Sequence, residues 1–200
     1  MQTFVGKIAP DFTATAVMPD NSIEFNFSLK AYTKGYKCVL FFYPLDFTFV
    51  CPSEIIAFNN RLGNFSHRNT KIISVSVDSH FSHLAWKNTS YNKGGVGNIQ
   101  FPMVSDINKI ISRMYNVLNE DGISMRGTFL IDENGILRHM LVNDLPLGRN
   151  IDETLRTIDA LDYHINHGEV CPAGWNTGNE GMKASSQGVS DYLTSNADKL

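Results

Sequence analysis

The sequence has few cysteines, no surplus of either charge and no long apolar run. Three cysteines in 200 residues, Cys38, Cys51 and Cys171, are too few and odd in number for a disulfide-stapled secreted scaffold. Lys and Arg number 17 against 20 Asp and Glu, so no basic surplus is available to neutralise a nucleic-acid backbone. The longest apolar run, residues 38–43, is far shorter than the roughly 18 residues of a membrane-spanning helix. We therefore expect neither nucleic-acid binding nor a membrane span.

The first residues also lack the charged and then apolar stretches of a secretory signal. We expect a cytoplasmic protein in a reducing compartment, where a cysteine serves packing, metal binding or redox chemistry. Apolar material is plentiful, because hydrophobic residues make up 42% of the chain and charged residues 18%. This composition excludes a disordered chain, and the length favours one domain.

Apolar runs and helical periodicity alternate along the chain. The predicted elements are buried strands at 37–43 and 71–77, an antiparallel hairpin at 127–132 and 136–142, and helices at 51–62, 80–88, 107–115 (with Asp106 as its cap) and 151–165. This order predicts an α/β protein with a thioredoxin-like fold, in which helices flank a mixed central β-sheet behind an N-terminal extension. The polar, glycine-rich residues after 168 show no periodicity. We predict a thioredoxin-like domain over 1–165 and a C-terminal tail over 166–200, on a surface or a partner, that carries Cys171.

The segment from residue 42 to residue 52 carries the strongest chemical signal. A predicted strand ends, a turn with Pro44 follows, and Cys51 then opens a predicted helix with Pro52 in its first turn. Unpaired N–H groups and the positive end of the helix dipole favour a thiolate there. The Thr48 hydroxyl can reach a ligand bound over the sulfur. The alternative is a small buried hydrophobe, the usual state of a free cysteine, but the strand–turn–helix context favours a reactive thiol.

A lowered pKa alone does not make a thiol react rapidly as a nucleophile. Lowering a thiol pKa from about 8.5 to about 6 raises the thiolate fraction at neutral pH roughly 30-fold. The accompanying loss of nucleophilicity, roughly 13-fold, leaves a net gain of only about two- to threefold. The substrate must therefore be activated by donors directed at its developing charge, such as Thr48, helix N–H groups and a fixed guanidinium. This requirement favours a polar substrate bond, such as the O–O bond of a peroxide.

Two motifs resemble those of a known family. Pro44-x-x-x-Thr48-x-x-Cys51-Pro52 resembles the active-site signature of the peroxiredoxins. The segment 168–175 around Cys171 resembles the resolving-cysteine segment of their typical two-cysteine subclass, which includes alkyl hydroperoxide reductase C and the thiol-specific antioxidants. Four further stretches fall in family order: Ala9-Pro10-Asp11-Phe12, Trp86-Lys87, Arg126-Gly127-Thr128-Phe129 and Leu147-Gly148-Arg149. The resemblance covers nearly the whole chain.

The resemblance implies an antioxidant oxidoreductase, a thiol peroxidase that reduces hydrogen peroxide and organic hydroperoxides. Cys51 would be the peroxidatic thiolate, which attacks the terminal peroxide oxygen and becomes a sulfenic acid. Pro44 would shield this thiolate from solvent, and Thr48 would hold the peroxide. Arg126 would lower the thiol pKa and polarise the substrate.

Glu54 and Arg149 match family residues that orient this arginine network. Without the resemblance, Arg126 would be interpreted as a solvated charge at a strand end, and Arg149 as an anchor for the following helix. The resemblance therefore decides the role expected of both arginines.

The resemblance also implies that Cys171 is the resolving thiol. A sulfenic acid condenses readily with a thiol, so a mobile second cysteine would form a disulfide and stop further oxidation. In the family this partner belongs to the other subunit of an obligate homodimer, which can assemble into a decamer. Thioredoxin or a flavoprotein disulfide reductase would then reduce the Cys51–Cys171 disulfide. The residues alone leave open an inert tail cysteine.

No cofactor or metal is expected. Two groups could be drawn as metal sites, His164 with His167 and Cys171, and His80 with His83. Both lack further ligands at metal-binding spacing, so solvated helix faces explain them better. Cys38 lies within an apolar strand, where packing is the favoured role.

The family's overoxidation motif is present only in part. A GGxG loop is found at residues 94–97, but Tyr192-Leu193 replaces the Tyr-Phe of the family's C-terminal helix. This departure leaves the sensitivity to hyperoxidation open. The sequence also does not identify the electron donor or the preferred peroxide. The alternative function is an oligomeric holdase chaperone or a peroxide signal relay. A general disulfide oxidoreductase is disfavoured because the chain has no C-x-x-C.

Overall fold

The structure, a computed structural model, describes residues 4–200 except for the side chain of Lys199. The chain divides into two compact units, the first ending at Ile151 and the second running from Asp152 to Leu200. The functional boundary predicted between 165 and 166 stays a prediction. No helix among the described residues is long and apolar enough to cross a membrane.

Within residues 4–151, the fold is built on one seven-stranded sheet. The strands are β1 (Thr13–Val17), β2 (Ile23–Ser28), β3 (Lys37–Phe42), β4 (Thr70–Ser76), β5 (Met103–Ser105), β6 (Arg126–Ile131) and β7 (Leu137–Asn143). Their order across the sheet is β2-β1-β5-β4-β3-β6-β7. The pairs β3/β4 and β4/β5 are parallel and the others antiparallel, so the predicted mixed sheet is confirmed.

The helices start mostly where capping and periodicity predicted. They are α1 (Leu29–Tyr32), α2 (Cys51–Asn60), α3 (Leu62–His67), α4 (His80–Lys87), α5 (Ile110–Met114), α6 (Ile151–His167) and α7 (Ser186–Asn196). The predicted starts at residues 51, 80 and 151 are confirmed. For α4 the local cause is visible, because the Ser79 hydroxyl accepts a hydrogen bond from the Ser82 N–H group at 3.2 Å.

Strand β3 lies inside the sheet with both faces covered. All six of its side chains are buried, as its continuous apolar run predicted. Side chains alternate between faces, so Leu40 and Phe42 join one core cluster while Phe41 points to the other side. There Phe41 stacks on Phe58 of α2, with ring centroids 4.2 Å apart. This contact fixes α2 beside the strand whose end leads into Cys51.

The helix predicted over 107–115 is shorter than expected. Lys109 precedes it in the left-handed conformation, with φ of 60°, and α5 begins only after this residue. Asp106 still supports the helix start, since its carboxylate accepts hydrogen bonds from the N–H groups of Ile111 and Ser112 at 3.0 and 2.7 Å. Both the predicted start and the predicted N-cap are wrong, because the N-cap position is occupied by Lys109 in the left-handed conformation and Asp106 binds the first N–H groups from three residues further back.

Both ends of the chain contain more regular structure than predicted. The N-terminal extension forms β1 and β2, and β1 pairs with the three-residue strand β5. The expectation of an irregular tail is wrong from Ser186 onward, because α7 forms there and carries Tyr192-Leu193. The Ser185 hydroxyl caps α7 by accepting a hydrogen bond from the Gly188 N–H group at 3.1 Å.

Replacing Phe58 with Ala should lower the free energy of unfolding by about 3–5 kcal/mol, because the fully buried ring leaves a cavity beside Phe41. Denaturant unfolding of the full chain measures this loss. Phe49→Ala, which truncates a ring that is 96% exposed, is the control and should change the free energy of unfolding by only about 0.5 kcal/mol. Similar losses in both variants would contradict this account of the core.

Candidate active site

Cys51 is the first residue of α2, and its side chain is only 1% exposed. The preceding residue, Val50, offers no side-chain cap for the first N–H groups of the helix. Pro52 lies in the first turn, where a missing N–H group loses no hydrogen bond. The sulfur therefore lies at the positive end of the helix dipole and away from bulk solvent.

Arg126, the first residue of β6, contacts the sulfur directly. Its Nη1 donates hydrogen bonds to Cys51 Sγ at 3.4 Å and to Glu54 Oε2 at 2.7 Å. Its Nε donates to the Leu145 carbonyl oxygen at 2.7 Å, which fixes the plane of the guanidinium. The side chain is 4% exposed, so the alternative of a solvated charge at a strand end is wrong.

Glu54 binds both arginines of the site. Arg149 Nε donates to Glu54 Oε1 at 2.8 Å and Arg149 Nη2 donates to Oε2 at 2.9 Å, a bidentate pair, while Arg126 binds the same Oε2. Burial by itself raises the pKa of Glu54. The hydrogen bonds and charge of Arg149, followed by the charge of Arg126, outweigh that effect and lower the pKa below its ordinary value.

Arg149 also forms hydrogen bonds to the end of β3 and the start of β6. Its Nη1 donates to the carbonyl oxygens of Phe42 and Gly127, at 2.8 and 2.9 Å. Its guanidinium carbon lies 4.9 Å from the centroid of the Phe41 ring, a cation–π arrangement. Arg149 thus holds Glu54 from a position fixed by the sheet.

Pro44 and Thr48 lie in the loop between β3 and α2. Pro44 is buried and Thr48 is partly exposed. The Thr48 hydroxyl donates a hydrogen bond to the Leu45 carbonyl oxygen at 2.7 Å. Because the hydroxyl proton is engaged there, the lone pairs of the oxygen are the part of Thr48 that a ligand can use. The loop also contains Phe47 with φ of 54°, a left-handed conformation that bulky residues seldom adopt.

A buried polar cluster beneath this loop was missed by sequence analysis. Asp46 accepts a hydrogen bond from the Tyr43 hydroxyl at 2.7 Å, and its Oδ2 lies 2.8 Å from His83 Nδ1. The Asp46 N–H group donates to Asp78 Oδ2 at 2.9 Å. His83 is fully buried, so its interpretation as part of a solvated helix face is wrong. Its i, i+3 spacing from the buried Trp86 is the signal that could have found it.

His164, His167 and Cys38 match the sequence interpretation, whereas His80 is partly buried and contacts the rings of Phe25 and Phe81. His164 and His167 are exposed on α6. Cys38 is fully buried within β3, where burial raises the pKa of its thiol. Within residues 4–200, no group of three or more His, Cys, Asp or Glu residues is arranged to hold a metal ion.

Cys171 belongs to the second unit, in the loop that follows α6. Its thiol donates a hydrogen bond to the Ala160 carbonyl oxygen at 3.3 Å, and the side chain is partly buried. Burial raises the pKa of the Cys171 thiol, and the positive charge of Arg156 offsets this only in part. Cys171 is therefore a protonated thiol at neutral pH in this arrangement.

Comparison with known proteins identifies the family. The AhpC/TSA family model matches residues 5–140, and the model for the C-terminal domain of 1-Cys peroxiredoxin matches residues 160–195. The chain belongs to the peroxiredoxins. This peroxiredoxin is 54% identical to alkyl hydroperoxide reductase C of Helicobacter pylori, over 98% of this chain and 99% of that protein. It is 53% identical to Peroxiredoxin-1 of Gallus gallus, over 96% of each chain.

A solved structure supports the same assignment. The reduced 2-Cys peroxiredoxin of Plasmodium vivax matches with a TM-score of 0.93 and 52% sequence identity, covering 96% of this chain and 100% of that one. The predicted thioredoxin-like fold and the predicted typical two-cysteine subclass are confirmed. The protein is a peroxidase of the peroxiredoxin and alkyl hydroperoxide reductase type.

Replacing Glu54 with Gln should destabilise this peroxiredoxin by roughly 3–5 kcal/mol at neutral pH, because Arg126 and Arg149 lose the charge of their buried partner. The pKa of Glu54 is lowered in the fold, so its stabilising effect is complete above the ordinary value of 4.5 and is lost as pH falls through the folded-state value. The difference in the free energy of unfolding between wild type and Glu54→Gln should therefore become smaller as the pH is lowered.

Urea unfolding of both proteins from neutral to acidic pH measures this dependence. Glu120→Gln, at an exposed position, is the matched control, and its free energy of unfolding should differ little from that of the wild type at every pH. A loss for Glu54→Gln that does not vary with pH would contradict the charge interpretation.

Proposed function

We propose that this peroxiredoxin reduces hydrogen peroxide and organic hydroperoxides with Cys51 as its nucleophile. The observation that carries the proposal is the hydrogen bond from Arg126 Nη1 to Cys51 Sγ at 3.4 Å, at the N-terminus of α2. A sulfur anion at this position receives a charge-assisted hydrogen bond and faces the positive end of a helix. The same guanidinium can bind a peroxide brought against the sulfur.

The charges around the sulfur favour the anion as well. Arg126 and Arg149 contribute two buried positive charges, and Glu54 contributes one negative charge. Because an uncompensated buried charge is unfavourable, a second negative charge beside this cluster would be stabilised. The proposed role of Cys51 as nucleophile supplies that charge as a thiolate.

In the proposed first step, the Cys51 thiolate attacks the terminal oxygen of the peroxide. A sulfur–oxygen bond forms, the O–O bond breaks and the second oxygen leaves as an alkoxide or hydroxide that takes up a proton. Cys51 becomes a sulfenic acid. Arg126 and the N–H groups of the first turn of α2 stabilise the charge that develops on the leaving oxygen. The lone pairs of Thr48 accept a hydrogen bond from the peroxide O–H group, whose proton stays on the oxygen that is transferred to sulfur, and Pro44 limits the access of water.

In the proposed second step, Cys171 of a second subunit condenses with the sulfenic acid to give a Cys51–Cys171 disulfide. A dithiol protein, either thioredoxin or a flavoprotein disulfide reductase, returns both cysteines to thiols. We place the cycle in the cytoplasm. The resolved cycle protects Cys51 from further oxidation.

Two surfaces of the first unit support the proposed homodimer and decamer. Strand β7 is an edge of the sheet and exposes Leu141 and Val142, so a second copy can pair with it. A groove of about 550 Å³ has exposed apolar side chains on its rim, namely Phe25, Phe81 and Ile107. Apolar exposure of this extent favours contact with another copy.

The cysteine assignments predict distinct behaviour for three serine variants. Cys51→Ser should abolish peroxide consumption, and Cys171→Ser should permit a single turnover before activity stops. Cys38→Ser is the control and should retain multiple turnovers. Peroxide consumption with thioredoxin present measures all three.

Non-reducing electrophoresis after stoichiometric peroxide tests the disulfide. The wild type and Cys38→Ser should give a covalent dimer band that both other variants lack. Multiple turnovers by Cys51→Ser would contradict the proposed nucleophile, and an unchanged monomer band for the wild type would contradict the proposed disulfide.

The role of Thr48 predicts a difference between two substitutions. Thr48→Val keeps the shape of the side chain but removes the oxygen, and it should lower kcat/KM for hydrogen peroxide roughly a hundredfold or more. Thr48→Ser keeps the hydroxyl that donates to Leu45, so it should recover most of the rate. Stopped-flow measurement of Cys51 oxidation gives both values, and equal rates for the two variants would refute a direct role of the oxygen.

A further inference from the structure

The loop that carries Cys171 is closed by backbone pairing. Val170 and Met182 each donate an N–H group to the carbonyl oxygen of the other, both at 2.9 Å. Residues 171–181 between them form the Cys171 loop. Its first residue, Cys171, is hydrogen-bonded to the Ala160 carbonyl oxygen of α6. For the Cys171 sulfur to reach another subunit, this bond must break.

One side-chain hydroxyl joins both ends of the loop to α6. Tyr163, on α6, donates a hydrogen bond to Glu169 Oε2 at 2.7 Å and accepts one from the Gly181 N–H group at 3.1 Å. Glu169 lies two residues before Cys171, and Gly181 is the last residue of the loop. We call these three residues the tyrosine clasp.

The ring of Tyr163 is held in place by its neighbours. It stacks on His167 with a centroid separation of 4.2 Å and contacts Trp175 at 5.0 Å. Trp175 is 4% exposed, and its carbonyl oxygen accepts a hydrogen bond from Arg156 Nη1 at 2.6 Å. The hydroxyl is thus directed at the loop ends by a ring that cannot turn away freely.

Gly181 is required for the close approach. A Cβ atom at this position would lie 2.5 Å from Tyr163 Cε1 and 2.6 Å from Glu169 Oε2. No side chain fits without moving the ring or the carboxylate. The backbone of the loop therefore reaches the hydroxyl only because residue 181 is glycine.

We propose that Tyr163 is a positioning residue for Cys171, and that opening of the tyrosine clasp limits how fast Cys171 reaches the sulfenic acid of Cys51. This inference rests on the proposed function. In the reaction that follows opening, the Cys171 sulfur attacks the sulfenic sulfur. A sulfur–sulfur bond forms, the S–OH bond breaks, and the hydroxide leaves as water with the Cys171 proton.

The clasp also affects the competition between disulfide formation and further oxidation at Cys51. A sulfenic acid that waits for Cys171 can react with a second peroxide and become a sulfinic acid. A loop held closed lengthens the wait and raises the share of Cys51 lost in this way. A loop that opens readily protects Cys51.

Tyr163→Phe removes only the hydroxyl and keeps the ring between His167 and Trp175. Hydrogen exchange of the Val170 and Met182 amides in the reduced protein should become roughly fivefold faster, as expected for loss of a partly exposed hydrogen bond to a charged group. Tyr36→Phe, in the turn before β3, is the matched control and should leave the exchange unchanged. Unchanged exchange in Tyr163→Phe would overturn the clasp.

The chemical consequence is measured under turnover with excess peroxide and reductant. Tyr163→Phe should form the disulfide faster and accumulate severalfold less sulfinic acid at Cys51, detected by mass spectrometry, than wild type or Tyr36→Phe. Glu169→Ala, combined with Tyr163→Phe, should add little to either effect because both changes remove the same hydrogen bond. Faster amide exchange without a change in disulfide formation would overturn the claim that opening limits resolution.

Failure of the proposed function would be recognised separately. If the wild type forms no Cys51–Cys171 disulfide, the assignment of Cys171 as resolving thiol is wrong, and this inference falls with it. If the wild type forms the disulfide and Tyr163→Phe behaves like Tyr36→Phe, only the clasp is wrong.

Discussion

The site depends on one buried carboxylate. Glu54 holds Arg126 through a 2.7 Å contact and Arg149 through a bidentate pair, and both arginine side chains are buried. Neither arginine could remain buried beside the sulfur without it, because an unpaired charge in the interior is strongly unfavourable. The carboxylate therefore determines where the positive charge around Cys51 is placed.

The same interaction joins the site to the fold. Glu54 belongs to α2, Arg126 starts β6, and Arg149 binds the last carbonyl group of β3. Phe41 contributes to the core by stacking on Phe58 and to the site by lying under the Arg149 guanidinium. Packing and charge placement are therefore not separable here, and a change in the core beside α2 also shifts the groups that surround the sulfur.

The sequence patterns predicted those strands and helices that are determined by interactions between residues close in sequence. The continuous apolar run of β3, the hairpin of β6 and β7, and the helix starts at 51, 80 and 151 all follow from short-range periodicity and capping. The three-residue strand β5 has too little sequence to show a pattern, and the start of α5 depends on the left-handed backbone of Lys109. The identity of the site residues came from motif resemblance. Their geometry could not come from spacing, because Glu54 lies 72 positions from one arginine and 95 from the other.

These separations also have a consequence for biosynthesis. Cys51 is translated 75 positions before Arg126, its hydrogen-bond donor in the folded chain. On the ribosome, where the N-terminal part of a chain emerges first, the nascent segment carries a cysteine without its cationic neighbours. The chain up to residue 149 must emerge and fold before the sulfur gains its surroundings. An unfinished chain therefore lacks the hydrogen-bond donor on which the proposed chemistry of Cys51 depends.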